Sequence, residues 1–174
     1  MTDVVVIGGG ITGCAAAFFL ATEGAEVVLL EQGDLNTFAS GSNSGSLHAQ
    51  IAHEPFTELG EGWAAGYAPT LRLFAASIAL WHEASALVGS DLEVRTAGGL
   101  LVASSAEQLE MIRRKAVHER AAGLEMRILG RDELRDVAPY LAERMLGAGL
   151  CPIEGKANPL VAATEMTDRD TLAA

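Results

Sequence analysis

Cysteine is scarce in this chain: Cys14 and Cys151 are the only two among 174 residues. That excludes a fold stapled by several disulfides, and Cys14 reads instead as a small buried residue on a helix. Basic residues are also few, 12 against 23 acidic ones, for a net charge of −11. Such a balance repels phosphate backbones, so no nucleic-acid partner is expected. The four histidines, His48, His53, His82 and His118, belong to no Cys/His cluster and no HExxH pattern, and no metal site is expected. Internal repeats and low-complexity tracts are missing. The uncharged stretch from Val4 to Ala21 is preceded only by Met1-Thr2-Asp3 and is interrupted by three successive glycines. Neither a signal peptide nor a membrane span is built that way. The expectation is a cytoplasmic chain with no integral membrane segment.

Hydrophobic residues make up 49% of the chain, enough for one good core and part of another. The most informative stretch is the N-terminal one. Val4-Val5-Val6-Ile7 is a continuous apolar run, as in a parallel strand buried on both faces. Gly8-Gly9-Gly10-Ile11-Thr12-Gly13 follows, then a helix rich in Ala, Phe and Leu from Cys14 to Thr22, stopped by Glu23-Gly24. A second apolar strand, Val27-Val28-Leu29-Leu30, ends in Glu31. This is the spacing that holds a dinucleotide. Gly8 allows the tight turn. Gly10 lets the backbone approach the pyrophosphate, Gly13 lets the helix pack near the sheet, and the amides at the helix start face the phosphate charge. Glu31, 23 positions after Gly8, can accept hydrogen bonds from ribose hydroxyls. The plainer alternative is a structural glycine turn in some other α/β domain.

Gln32 to Ser46 is polar and rich in glycine and serine. It reads as a surface loop or, directly after the acid-ended strand, as a second cofactor loop whose small residues permit close approach. Pro55 and Pro69 frame a polar connection. Tyr67–Val88 has the period of a long helix, with Leu71, Phe74, Ile78, Trp81 and Ser85 on one face. Strands are predicted at Leu92–Arg95 and Gly98–Ala103. Ser104-Ser105 caps a helix to about Ala122, with Leu109, Ile112 and Ala116 inward and Arg113, Arg114 and Lys115 on a solvated face. Short strands at 126–129 and 146–150, a short helix at 132–137 and a turn-rich link at 151–156 follow. Asn158-Pro159 would open a closing helix. Strands that do not alternate with helices predict an antiparallel second region. The expected division is a βαβ unit with its cofactor loop (1–50), a connecting long helix (51–90), a second, partial domain (91–150) and a return helix (151–174).

The longer pattern Gly8-x-Gly10-x-x-Gly13-x-x-x-Ala17-x-x-Leu20-Ala21-x-x-Gly24-x-x-Val27-x-x-x-Glu31 is similar at every fixed position to the FAD-binding signature of glutathione-reductase-type flavoproteins. Further marks are Ala39-Ser40-Gly41-Ser42-Asn43-Ser44-Gly45, Gly98-Gly99-Leu100-Leu101-Val102, Glu133-Leu134 with Pro139, and Pro152 with Glu154-Gly155-Lys156 and Asn158-Pro159. With these the chain resembles the D-amino-acid oxidase superfamily of FAD-dependent oxidoreductases, which includes glycine and sarcosine oxidases. The Ser-Asn-Ser-Gly-Ser-Leu-His stretch looks closest to its opine-oxidase-like members. The resemblance runs to about Ala163 and matches the N-terminal part of such enzymes, as in a truncated member. It implies an α/β fold: a Rossmann-like FAD-binding βαβ unit with an inserted α+β substrate-domain portion, incomplete relative to the family.

The resemblance also implies a cofactor, FAD, and residues to hold it. Gly8, Gly10, Ile11, Thr12 and Gly13 would meet the pyrophosphate, Glu31 the ribose, Gln32 the adenine side, Ala39 and Ser40 the diphosphate, and Ser44, Gly45, Ser46 and Leu47 the flavin. The implied activity is oxidation of the C–N bond of an amino acid or secondary amine by hydride transfer to flavin. A small-molecule amine or amino acid would be the substrate, and a partner subunit is a further expectation. No catalytic residue is assigned. His48 follows the flavin-side loop and could approach the ring, or be an ordinary surface histidine. Two alternatives stay open: a non-catalytic FAD-domain fragment or pseudo-subunit, and an NAD-dependent dehydrogenase, since Glu31 suits either dinucleotide.

Overall fold

The computed structural model describes residues 1–167. In chain order its elements are β1 (Val4–Ile7), α1 (Ile11–Thr22), β2 (Val27–Leu30), β3 (Ser46–Leu47), α2 (His53–Tyr67), α3 (Leu71–Val88), β4 (Gly99–Ala103), α4 (Ala106–Ala121), β5 (Arg127–Gly130), α5 (Arg131–Val137), β6 (Gly147–Cys151), β7 (Gly155–Lys156) and α6 (Ala162–Glu165). A 3₁₀ turn, Ala68–Thr70, joins α2 to α3. Two units share the chain. Of the described residues, 1–46, 81–95 and 156–167 form the first; 47–80 and 96–155 form the second.

In the first unit β1 and β2 pair in parallel, Val4 opposite Val27 through Ile7 opposite Leu30, with α1 as the crossover. A parallel pair needs such a crossover, and the uncharged α1 supplies one that can bury itself on the sheet. Its Cys14 and Phe18 pack with Ala84, Val88, Leu92, Ala163 and Met166. The opposite face of the sheet is open: Val5, Val28 and Leu30 are exposed, and Ile7 is 86% exposed.

The second unit is built on an antiparallel sheet in the order β4-β6-β5, as the non-alternating strand pattern predicted. Gly99 pairs with Cys151 and Ala103 with Gly147; Arg127 pairs with Leu150 and Gly130 with Gly147. Glycines in β6 admit helix α4 at close range: a Cβ on Gly149 would lie 2.8 Å from Ile112, and one on Gly147 3.1 Å from Leu109. The core joins Ala49, Ile51, Phe56, Leu71, Ile78, Ala116 and Met126.

Four local expectations are corrected. The connection around Pro55 is helical: Pro55 lies in the first turn of α2, where a missing N–H costs nothing, and Gly60, at φ 76°, kinks the helix midway. The long helix accordingly starts at Leu71, not Tyr67. Leu92–Arg95 forms no strand, because Glu93 sits at φ 55°; a single bridge, Arg95 to Lys156, remains. The closing helix begins at Ala162, since the Asn158 side chain accepts from the Leu160 amide at 3.0 Å and forms a turn instead of a cap. The return segment expected over 151–174 extends past Thr167, and its residues 168–174 lie outside the described ones. By length and composition alone the helical run His53–Val88 could cross a membrane, at a mean hydropathy of 1.2 in its most apolar window.

Candidate cofactor-binding site

The end of β1 runs into a turn that only glycine permits. Gly8 has φ +110°, a conformation that L side chains rarely adopt. At Gly13 a Cβ would collide with the Gly8 carbonyl oxygen, so the first turn of α1 lies directly on the chain leaving β1. This cradle is closed from the other side by Glu31. Its Oε2 accepts from the Gly9 amide at 2.6 Å and its Oε1 from the Gly33 amide at 3.0 Å. The Gly9 and then the Gly33 amide hold the carboxyl below its ordinary pKa, because hydrogen bonds to the charged form favour it. An ionised carboxylate with spare lone pairs therefore stands at the mouth of the glycine turn.

The serine loop reaches the same place. Ser40 Oγ accepts from the Ile11 amide at 3.0 Å, and a Cβ on Gly10 would lie 2.9 Å from it. Thr12 is exposed at the helix start. Gly8, Gly10, Ile11, Thr12, Gly13, Glu31 and Ser40 are thus brought together. The Ile11 amide, expected at the pyrophosphate, is engaged by Ser40. Gln32 and Ala39 are exposed nearby in sequence. Ser44 and Ser46 bond each other, Oγ to Oγ at 2.9 Å, and the Gly45 amide donates to Asn43 Oδ1 at 2.7 Å. Leu47, assigned with them by resemblance, belongs to the second unit.

These residues fit a dinucleotide. The cradle is one that a Cβ would fill, the carboxylate at its mouth is charged and half-buried, and the open turn of a helix lies beside both. Cys14, behind the turn, is no part of such chemistry: burial, and then the Glu31 charge, push its thiol up.

The second unit holds a cleft of about 310 Å³ whose lining includes His48, Gln50, His53, Gly99, Leu101 and Glu154. His48 is an exposed wall residue, its Nδ1 3.9 Å from Glu154 Oε1. Behind the wall lies a polar network that the sequence reading missed. Glu154, 1% exposed, accepts on Oε1 from the amides of Ala49 and Gln50 at 2.6 and 2.7 Å, and on Oε2 from Gln50 Nε2 at 2.8 Å. Glu119 Oε1 accepts from the Ile51 amide at 2.8 Å and from Lys115 Nζ. Lys115 also reaches Gln50 Oε1 at 3.3 Å. Glu119 Oε2 is buried without a hydrogen-bond partner among the described residues. Placing Lys115 on a solvated face was wrong: it is fully buried. Helical phase gives the signal, for Lys115 and Glu119 share a stripe with Ile112 and Ala116. Burial and the Glu154 charge push the nearby Cys151 thiol up to about 12.

Residues 3–169 match the family model described as FAD dependent oxidoreductase, DAO. The chain belongs to this family. An opine oxidase subunit from Rhizobium meliloti is 29% identical over 174 residues, covering 91% of this chain and 42% of that protein. Glycine oxidase from Bacillus cereus has a similar structure, with a TM-score of 0.74 at 25% identity, covering 99% of this chain and 44% of that one. L-amino acid deaminase from Proteus vulgaris gives 0.78 at 26% identity, covering 99% and 38%. The chain thus spans about two fifths of the relatives it matches. FAD is the cofactor of this family, which settles the choice of dinucleotide against NAD. The fold is the expected one: a Rossmann-like βαβ unit with an inserted α+β portion, a fraction of the family's full length.

Proposed function

We propose that this chain supplies the FAD-holding part of an oxidoreductase that oxidises the C–N bond of an amino acid or opine-like secondary amine. The observation that carries the reading is Glu31, ionised, half-buried and fixed by the Gly9 and Gly33 amides at the mouth of the glycine turn. When bound, FAD supplies the two-electron acceptor for such an oxidation. The chain's own residues do the holding. Glu31 would accept from the ribose hydroxyls, the backbone of Gly8 to Gly13 would hold the pyrophosphate, and the Ser40 hydroxyl, accepting from Ile11, has its own proton to donate to a phosphate oxygen. Ser44 to Leu47 are assigned to the flavin. The names of the relatives, an opine oxidase subunit, a glycine oxidase and an L-amino acid deaminase, support an amino acid or its N-substituted derivative as substrate.

A second reading has its own observation. The open apolar face of the β1–β2 sheet, with Val5, Ile7, Val28 and Leu30 exposed, favours a chain that binds FAD but works only with further polypeptide, as a pseudo-subunit would. Titration of the purified chain with FAD, followed by flavin fluorescence and the visible absorption bands, tests the common core of both readings. Saturable binding is expected, weakened about tenfold or more in Glu31→Ala, since charge-assisted hydrogen bonds are the strong ones. Dye reduction with a panel of amino acids and opines then separates them: turnover supports the first, bound flavin without turnover the second. A wild-type chain that takes up no FAD sinks both.

A further inference from the structure

We propose that Glu154 is a positioning residue: its buried carboxylate latches residues 49 and 50, and so fixes Leu47 and His48, which follow directly on the loop assigned to the flavin. The inference rests on the FAD reading above. Three segments that stand out in the sequence meet at this carboxylate. The Ser/Gly loop runs on into Leu47-His48-Ala49-Gln50, whose Ala49 and Gln50 amides donate to Glu154 Oε1. The Gly98-Gly99 pair passes beside it: the Gly98 amide donates to the Glu154 carbonyl at 3.0 Å, and a Cβ on Gly99 would run into Glu154 Oε2. The Glu-Gly-Lys link contributes Glu154 itself.

The latch is continued by the second carboxylate. Ile51 donates to Glu119, which Lys115 neutralises, and the Gln50 side chain joins the two halves, its Nε2 donating to Glu154 and its Oε1 accepting from Lys115. Residues 49 to 51 belong to no helix or strand, so these side-chain acceptors stand where backbone partners ordinarily would. Buried carboxylates are a costly way to hold a loop, since each must be desolvated. What they add over apolar packing is direction, because a carboxylate oxygen accepts best near its plane and lone-pair directions.

The test uses the full chain, FAD as the probe and two variants. Glu154→Gln removes the charge. Gly99→Ala keeps every charge and displaces the carboxylate sterically; the atoms that must yield all belong to the Glu154 side chain, from its Oε2 back to its Cβ. In both variants the Ala49 and Gln50 amides should exchange with deuterium at least about tenfold faster, while the amides of α4 keep their protection. The FAD Kd should change by less than about threefold, because the ADP-binding residues are untouched, yet the visible circular dichroism of the bound flavin should lose about half its intensity or change sign. A merely structural Glu154 would not move that spectrum at constant Kd. Unchanged exchange in both variants overturns the latch. Faster exchange with a bound-flavin spectrum that superposes on wild type overturns the positioning role. If the wild type binds no FAD, the functional reading fails and the positioning role with it, while exchange still decides the latch. If Glu154→Gln does not fold, Gly99→Ala carries the test.

Discussion

Glu31 and Glu154 do the same thing in the two units with opposite consequences. Each carboxylate accepts from two backbone amides, Gly9 and Gly33 in the first unit, Ala49 and Gln50 in the second. Glu31 does so in contact with solvent and keeps acceptor capacity for an incoming donor. Glu154 is buried, and the Gln50 side chain takes its second oxygen. Burial, more than residue type or partner type, decides whether such a carboxylate serves a ligand or the fold. Removing each should therefore be read out by a different measurement.

The largest contrast is between Glu154→Ala and Glu31→Ala. The first strands buried donors and should lower stability by about 4 kcal/mol, the range for breaking a buried charged network, seen as a fall in Tm of roughly 10 °C for a chain of this size. The second removes a half-buried acceptor and should lower Tm by clearly less, about 3–5 °C, the worth of its amide hydrogen bonds, and weaken FAD. Similar Tm losses in both would erase the distinction. Next in size is Lys115→Met, which leaves Glu119 buried and uncompensated and should cost about 3 kcal/mol. Adding Glu119→Gln should restore much of that loss, because the second change removes the charge the first one stranded. A double variant no better than the single one would mean that Lys115 acts through packing alone.

How much of this was legible in the sequence follows from the same contrast. The glycine turn could be read because its requirements are local: Gly8 needs a positive φ and Gly13 needs space, and both are written as residue types a few positions apart. Glu31 could be read because a fixed βα path carries it to the turn. The latch could not be read the same way. Glu154 binds backbone amides more than 100 positions earlier in the chain, and an amide leaves no mark in a sequence. Lys115 was hidden by its neighbours, since Arg113-Arg114-Lys115 looks like one solvated run until helical phase separates the third member. Helix α2 was hidden by proline and glycine, which mark loops on average but are tolerated here in a first turn and at a kink.

Inside the cofactor site the contrast sharpens to smaller effects. Gly13→Val places a branched side chain against the Gly8 carbonyl and should abolish measurable FAD binding, whereas Glu31→Gln should weaken it about tenfold, having lost only the charge. The difference in Kd between wild type and Glu31→Gln should depend on pH with a definite sign. The bound amides lower the Glu31 pKa, so the advantage is complete above the ordinary carboxylate range and fades only as pH falls through the depressed value. An advantage that fades near neutral pH would mean that another group carries it.

The smallest expected effect belongs to Ser40. Its oxygen already accepts from the Ile11 amide, the amide a phosphate would otherwise take. Two outcomes compete on removal of the hydroxyl: Ile11 is freed for the phosphate, which favours binding, or the phosphate loses a donor. A hydroxyl can accept and donate at once, so under the proposed reading Ser40 would relay the helix-start amide to the phosphate without blocking it. Ser40→Ala should therefore weaken FAD by about three- to tenfold, the worth of one hydrogen bond, with Tm nearly unchanged. Tighter binding in Ser40→Ala would reverse the assignment and make the serine a plug that the cofactor must displace.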